Sequence, residues 1–291
     1  GGEPEIDSVP YRFISEPGAR LSGLLSGELD VITNLLPEYV DIAPNAVAIE
    51  GLETSVIILA TENPVTGNPD VREALNLAID RETLATSIFG GYARPAQGQL
   101  VNPAAFGFNP ALEAYPYDPE AARALIEGAG MTGQTITLLG EAGRWLKDRE
   151  QIEAVAGYWQ EAGLTVNVEI EEFGAYLTRL FDTAVRPDSV FVVNSNELLD
   201  ADRETSFAYQ MGGGASSNTD EELSAWVDEA RQETDIEARA ALYAQITQRA
   251  YEQNYLVPLL NMQDIYGLSE RMDWQPRTDA KLLVKDMAVF E

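Results

Sequence analysis

Residues 69–84 read Pro-Asp-Val-Arg-Glu-Ala-Leu-Asn-Leu-Ala-Ile-Asp-Arg-Glu-Thr-Leu. Val71, Ala74, Leu75, Ala78 and Ile79 recur at helical spacing, which predicts a helix with one buried stripe. Asp70 is placed to cap the first turn, and Asp80 to cap a second short helix running through Leu84 and Ile88. The stretch reads as a packed helix pair and offers no chemistry of its own.

Upstream, 6–14 reads as a strand that Pro17-Gly18 breaks. Residues 19–27 read as a helix with Leu21, Leu24 and Leu25 on one face and Gly27 as its C-cap. A short strand is expected at 29–32 and two more at 47–49 and 55–60, the last apolar enough to be covered on both faces. Asn63 to Pro69 is a turn-rich junction. Downstream, a Pro/Gly-rich loop spans 90–117, long enough that it is expected to be pinned across a surface. Asp118 and Pro119 open a helix. The remainder reads as strand 135–139, helix 148–162, strand 164–170, helix 173–181 and strand 189–193. A loop at 194–218 leads to helices 220–233 and 236–254 and to strands 256–260 and 264–268. The strand–helix–strand order from Thr135 to Ile170 is a βαβ unit with parallel strands and a right-handed crossover. The fold class is therefore α/β, with some antiparallel strands.

The chain has 291 residues, and its 48 acidic side chains against 19 basic ones give a formal net charge of −29. That field repels nucleic acid and anionic membrane surfaces. Histidine and cysteine are both absent. This removes Ser-His-Asp and Cys-His nucleophile systems, His/Cys zinc sites and disulfides. No metal and no cofactor is expected. Lys147, Lys281 and Lys285 are the only lysines. No signal peptide and no stretch of membrane-spanning length is visible. The two leading glycines look like a processing or engineering remnant.

Several blocks in order resemble one known family. They are Ala19-Arg20, then 24–30 (LLSGELD), then the helix pair 69–84. Gly91, Ala93, Pro95 and Ala96 follow, and then 117–122 (YDPEAA) with Leu125, Ala129 and Gly130. Trp159, 162–164 (AGL) and Val166 come next, and last Asn218, Glu221, Leu223 and Ala230. Together they resemble the family 5 extracellular solute-binding proteins, the peptide-, nickel- and oligosaccharide-binding components of ABC importers. The resemblance implies a periplasmic-binding-protein-like type II lobe, a mixed sheet flanked by helices, together with part of a first lobe. It implies residues 1–62 and 264–291 as the C-terminal part of lobe I, and 63–263 as lobe II. The helix pair lies later in the family than here, so the chain is expected to be a C-terminal fragment. A solute would be trapped between the lobes by hinge closure. The expected setting is extracytoplasmic, with a small-molecule or peptide ligand, ABC permease subunits as partners, and a monomeric chain. Membrane attachment would run only through a leader or lipid anchor outside this chain.

Peptide-binding members carry a Gly-Trp…Asp…Asp-Pro segment after the strand at 190–193, whose aspartate holds the peptide amino terminus. Here 194–202 reads NSNELLDAD, without Trp or Asp-Pro; Glu197 or Asp200 stands as a substitute. Ligands of open α/β sheets sit beyond the carboxyl ends of strands. Two loops fit, 140–147 with Arg144 and Trp145, and 194–202. Arg144 offers a fork for a carboxylate and Trp145 a stacking face; equally, they are a solvated Arg and an aromatic under its own helix. Asn194, Asn196 and Asp200 are ligand candidates or turn formers, and Tyr209 is a further cleft candidate. An alternative function is a carboxylate-dependent hydrolase of the extracellular space, using Glu197, Asp200 and the Glu169, Glu171, Glu172 cluster. Asp220, Glu221 and Glu222 form a second acidic cluster, read as a helix start. Asp200-Ala201-Asp202 lacks the rest of a calcium loop.

Overall fold

The computed structural model describes residues 6–290; the leading glycines lie outside them. The elements run α1 (Pro17–Leu25), β1 (Val31–Ile32), β2 (Asn45–Leu59), α2 (Pro69–Leu77), α3 (Arg81–Ser87), β3 (Ala93–Pro95), α4 (Pro119–Gly128), β4 (Thr135–Glu141) and α5 (Asp148–Glu161). They continue with β5 (Thr165–Glu171), α6 (Phe173–Phe181), β6 (Ser189–Ser195), α7 (Asp202–Ala208), α8 (Glu221–Gln232), α9 (Ile236–Glu252), β7 (Leu256–Leu268), β8 (Met272–Asp273) and β9 (Ala288–Val289). The main sheet has the order β1-β7-β2-β6-β4-β5, with β3 added to β7. β4 lies parallel to β5 and to β6, and the other pairs are antiparallel. The fold is mixed α/β, as the element order predicts.

Its spine is the β2–β7 ribbon. The strands expected separately at 47–49 and 55–60 are one strand, and so are those at 256–260 and 264–268. A bulge divides the ribbon: Glu50 faces Gln263, but the next paired residue, Thr54, faces Asn261. Gly51 sits in this bulge because a Cβ there would stand 2.9 Å from the Met262 carbonyl oxygen. On one side of the bulge the ribbon is flanked by β1. On the other it is flanked by β6, β4 and β5. Pro258, which cannot donate to a ladder, falls at a second register shift, between Ser55 and Val56.

The helix pair 69–84 is α2 and α3. The cap of α2 is Asn68 rather than Asp70: the Asn68 side chain accepts from the Asp70 N–H at 2.9 Å. Asp80 caps α3 as expected, accepting from the Thr83 N–H at 2.9 Å. The apolar stripe is buried, and so are three polar side chains of the pair. Arg72 donates to the carbonyls of Gln253, Thr66 and Gly67. Asn76 donates to the Leu256 carbonyl. Arg81 donates to the carbonyls of Pro258 (2.6 Å) and Asn76 (2.9 Å) and to the Asn76 side chain. The pair is thus pinned to β7 by hydrogen bonds as well as by packing. Burial pulls the Arg81 guanidinium down to about 10. Trp159 of α5, fully buried, donates its indole N–H to the Leu75 carbonyl at 3.0 Å and ties α5 to α2.

Two apolar cores cover the faces of the larger part of the sheet. One joins α2, α3, α4 and α5 to β2, β4 and β7, and the other joins α6, α8 and α9 to β2, β4 and β6. A third, around Tyr266, Leu268 and Trp274, lies on the β1 side of the bulge. Residues 6–14 form no strand; they run as irregular chain to α1, because no described strand offers them a partner. The loop 90–117 is pinned as expected. The Gln99 side chain donates to the Asn109 carbonyl and accepts from the Asn109 N–H, the Asn109 side chain donates to Ala244 and Thr247 of α9, and Phe106 pairs with the 199–201 backbone. No helix is long and apolar enough to cross a membrane among the described residues.

Candidate functional site

β4 and β6 run parallel, so their carboxyl ends open at the same edge, at Glu141 and Ser195. Glu53, beside the ribbon bulge, faces Ser195 at that edge. The loop leaving β4 is organised by one buried carboxylate. Asp148, at the start of α5, accepts from the backbone N–H groups of Gly143 (2.9 Å), Arg144 (3.1 Å) and Trp145 (3.1 Å) through Oδ2. Gly143 supplies the positive φ of 94° that the turn requires.

Held this way, the Arg144 guanidinium lies 4.3 Å from the Phe173 ring centroid and 5.3 Å from that of Trp145. It makes no hydrogen bond or ion pair among the described residues. Acidic groups surround it without closing on it. Burial pushes the Glu53 carboxyl up to about 7, Asp264 and Glu197 add to the rise, and Arg144 opposes it. Burial likewise pushes Glu141 up to about 7, with Asp148 raising and Arg144 lowering. Glu141 is 4% exposed, and its Oε1 has no hydrogen-bond partner among the described residues. Burial alone pushes Asp264 up to about 6. A preorganised free guanidinium, aromatic faces and buried acids with perturbed protonation are what a pocket for a small polar, charged solute needs. A separate cleft of about 650 Å³ beside β3 is lined by Glu50, Gly51, Arg94, Asn102 and Glu113. Its arginine is already paired, Arg94 with Glu50 at 2.8 Å.

Of the residues singled out from sequence, Arg144 and Trp145 stand together in this loop. The other four are held by internal contacts. Asn194 and Asn196 both donate to Glu204, itself fully buried. Asp200 is gripped by both terminal nitrogens of Arg239, at 2.7 and 2.8 Å. Tyr209 is 1% exposed, and its hydroxyl meets the backbone at Leu100. Four of the five acids considered for hydrolysis are engaged separately: Glu169 and Glu171 pair with Arg179, Glu172 accepts from the Gly174 N–H, and Asp200 pairs with Arg239. Nothing supports the hydrolase reading. Glu53, Asp264 and Glu141 were not singled out from sequence. The signal for the first two is an acid inside an otherwise apolar strand, in GLETSVIILA and in NMQDIYGL.

A mixed sheet crossed by one long ribbon is the architecture of periplasmic-binding-protein-like structures. Over its full length the chain superposes on NikA from Brucella suis, solved with Fe(III)-EDTA, with a TM-score of 0.88 and 22% identity; it covers 63% of that chain. A probable di/tripeptide-binding protein of Pseudomonas aeruginosa is 28% identical over 185 residues, 61% of this chain and 35% of its own length. The glutathione-binding protein GsiB of Shigella flexneri is 33% identical over 135 residues, 44% of this chain and 26% of its own. The chain therefore spans about a third or less of these curated relatives. The family model for the middle region of the bacterial extracellular solute-binding proteins, family 5, matches residues 1–230. The chain belongs to that family.

Proposed function

We propose that the protein binds a peptide or similar small solute outside the cytoplasm and delivers it to an ABC importer, without catalysing a reaction. Residues 1–62 and 264–291 belong to one lobe and 63–263 to the other, with the β2–β7 ribbon running between them as the hinge. The solute lies against the Arg144–Trp145 loop. The carrying observation is the unpaired Arg144 guanidinium, clamped on aromatic rings at the edge where β4 and β6 end. A solute carboxylate completes it with a forked hydrogen bond. The half-buried acids Glu53 and Asp264 favour a positive group elsewhere on the same solute. The relatives named for di/tripeptides and for glutathione support this chemistry. The partners are the permease subunits, and the chain acts as a monomer.

Thermal-shift and calorimetric titration with trialanine, glutathione and nickel complexes tests the reading. A bound solute at a hundred times its Kd adds about 2.7 kcal/mol to stability. Arg144→Ala abolishes that gain for carboxylate-bearing solutes. If no solute stabilises the protein, or Arg144→Ala binds as wild type, the reading fails.

A further inference from the structure

Lys147 is the one lysine before residue 281, and it stands where the Arg144–Trp145 loop enters α5. Its backbone is left-handed, with φ 55°, a conformation that costs a non-glycine residue energy unless its surroundings hold it there. It offers no side-chain cap to α5. Instead its ammonium reaches the Glu38 carboxylate at 2.7 Å and Glu150 at 3.3 Å, with the side chain only 14% exposed. Burial works to raise the Glu38 carboxyl, yet the hydrogen bond and charge of Lys147 hold it below its ordinary value.

Glu38 belongs to a short 3-10 turn, Pro37–Tyr39, in the connector that enters β2. That connector is itself anchored. Leu35 is buried and donates its N–H to the Ile265 carbonyl of β7 at 3.0 Å, while Leu36, Tyr39 and Val40 pack on the core that contains Leu146. One ion pair therefore joins the loop that displays Arg144 to the segment that feeds the ribbon bulge, across 109 residues of sequence.

We infer that Lys147 is a positioning residue: through Glu38 it couples the Arg144–Trp145 loop to the connector leading into β2, so that solute held at the loop also steadies the hinge. This rests on the solute site proposed above. Glu150 stays on the same helix and cannot transmit the coupling.

The test uses hydrogen exchange and solute kinetics on Lys147→Met, Glu38→Gln, Glu150→Gln and the swapped pair Glu38→Lys/Lys147→Glu. Expected are faster exchange at 36–43 in Lys147→Met and at 142–146 in Glu38→Gln. Either change also raises the Kd for trialanine or glutathione about five-fold, the upper range for a partly exposed ion pair, mostly through koff. The swap restores both readouts, and Glu150→Gln changes neither. Unchanged exchange at 36–43 in Lys147→Met overturns the inference. So does unchanged affinity in both single variants for a probe that binds the wild type. If no probe binds the wild type, the solute site is what fails. The inference is then decided by exchange at 142–146 in Glu38→Gln: acceleration upholds it, and no change overturns it.

Discussion

Removing the Asp148 carboxylate should release the loop that carries Arg144. In Asp148→Ala three loop N–H groups lose an ionised acceptor. Hydrogen bonds to charged groups contribute about 1.5–3 kcal/mol each. Gly143 and Arg144 are exposed, so water takes over part of that bonding, and a total near 3 kcal/mol is the reasonable expectation. The loss is mainly local. It corresponds to about a hundred-fold faster hydrogen exchange at 143–145, since every 1.4 kcal/mol is a factor of ten. Asp148→Asn keeps one acceptor oxygen without the charge and should fall between, at roughly ten-fold. Mass spectrometry of exchange over 142–149 reads this directly, with circular dichroism to show that the fold persists. Calorimetry with the stabilising solute should show weaker binding in the same order. If Asp148→Ala folds and 143–145 exchange as slowly as in wild type, the carboxylate does not hold the loop. The account of a preorganised Arg144 then falls with it.

Arg81→Met should cost about 3 kcal/mol in urea denaturation, because the Pro258 and Asn76 carbonyls are left buried without their donor; a cost below 1 kcal/mol would show that those carbonyls find other partners. Asp200→Asn should cost about 1–2 kcal/mol by breaking the forked pair with Arg239 while changing solute affinity little; a large affinity loss would place Asp200 in the site. Burial pushes Glu204 and Glu141 up to about 7 from an ordinary 4.5. The folded state therefore holds more protons than the unfolded state between those values, and stability should fall as pH rises through that window. Glu204→Gln should flatten the fall in a pH series of melting curves, and an unchanged slope would remove Glu204 as its source.

The local elements were legible because their signals are local. The helix expected at 173–181 is α6, residue for residue, and Asp80, Asp118 and Asp220 cap α3, α4 and α8 as their positions before apolar runs imply. The ribbon was not legible. Gly51 and Glu53 interrupt the apolar pattern and imitate a turn, whereas they form a bulge that only the opposite strand reveals. Arg72, Asn76 and Arg81 look solvated on a helical wheel. They are buried because they donate to carbonyls at the end of α9 and in β7, distant in sequence. The loop 140–147 could be placed from the end of β4, and so could Arg144 and Trp145. Asp200 could not be resolved, because its partner Arg239 lies on a helix that follows in sequence and folds back over it. Glu53 gains part of its meaning from the approach of Asp264 across the bulge, and Asp264 gains its own from burial.

The ribbon also sets an order of events. The chain leaves it at Leu59 and rejoins it at Leu256, so everything from 60 to 255 is threaded between two neighbouring strands. Their pairing has a high loop-closure cost until the intervening segment has compacted. The strand that seals the molecule is synthesised only after the whole intervening segment. During translation the sheet's central seam stays open, and the whole intervening body behaves as an excursion that returns to its starting line only when β7 arrives. A truncation just before Leu256 would leave most helices intact and remove the seam itself.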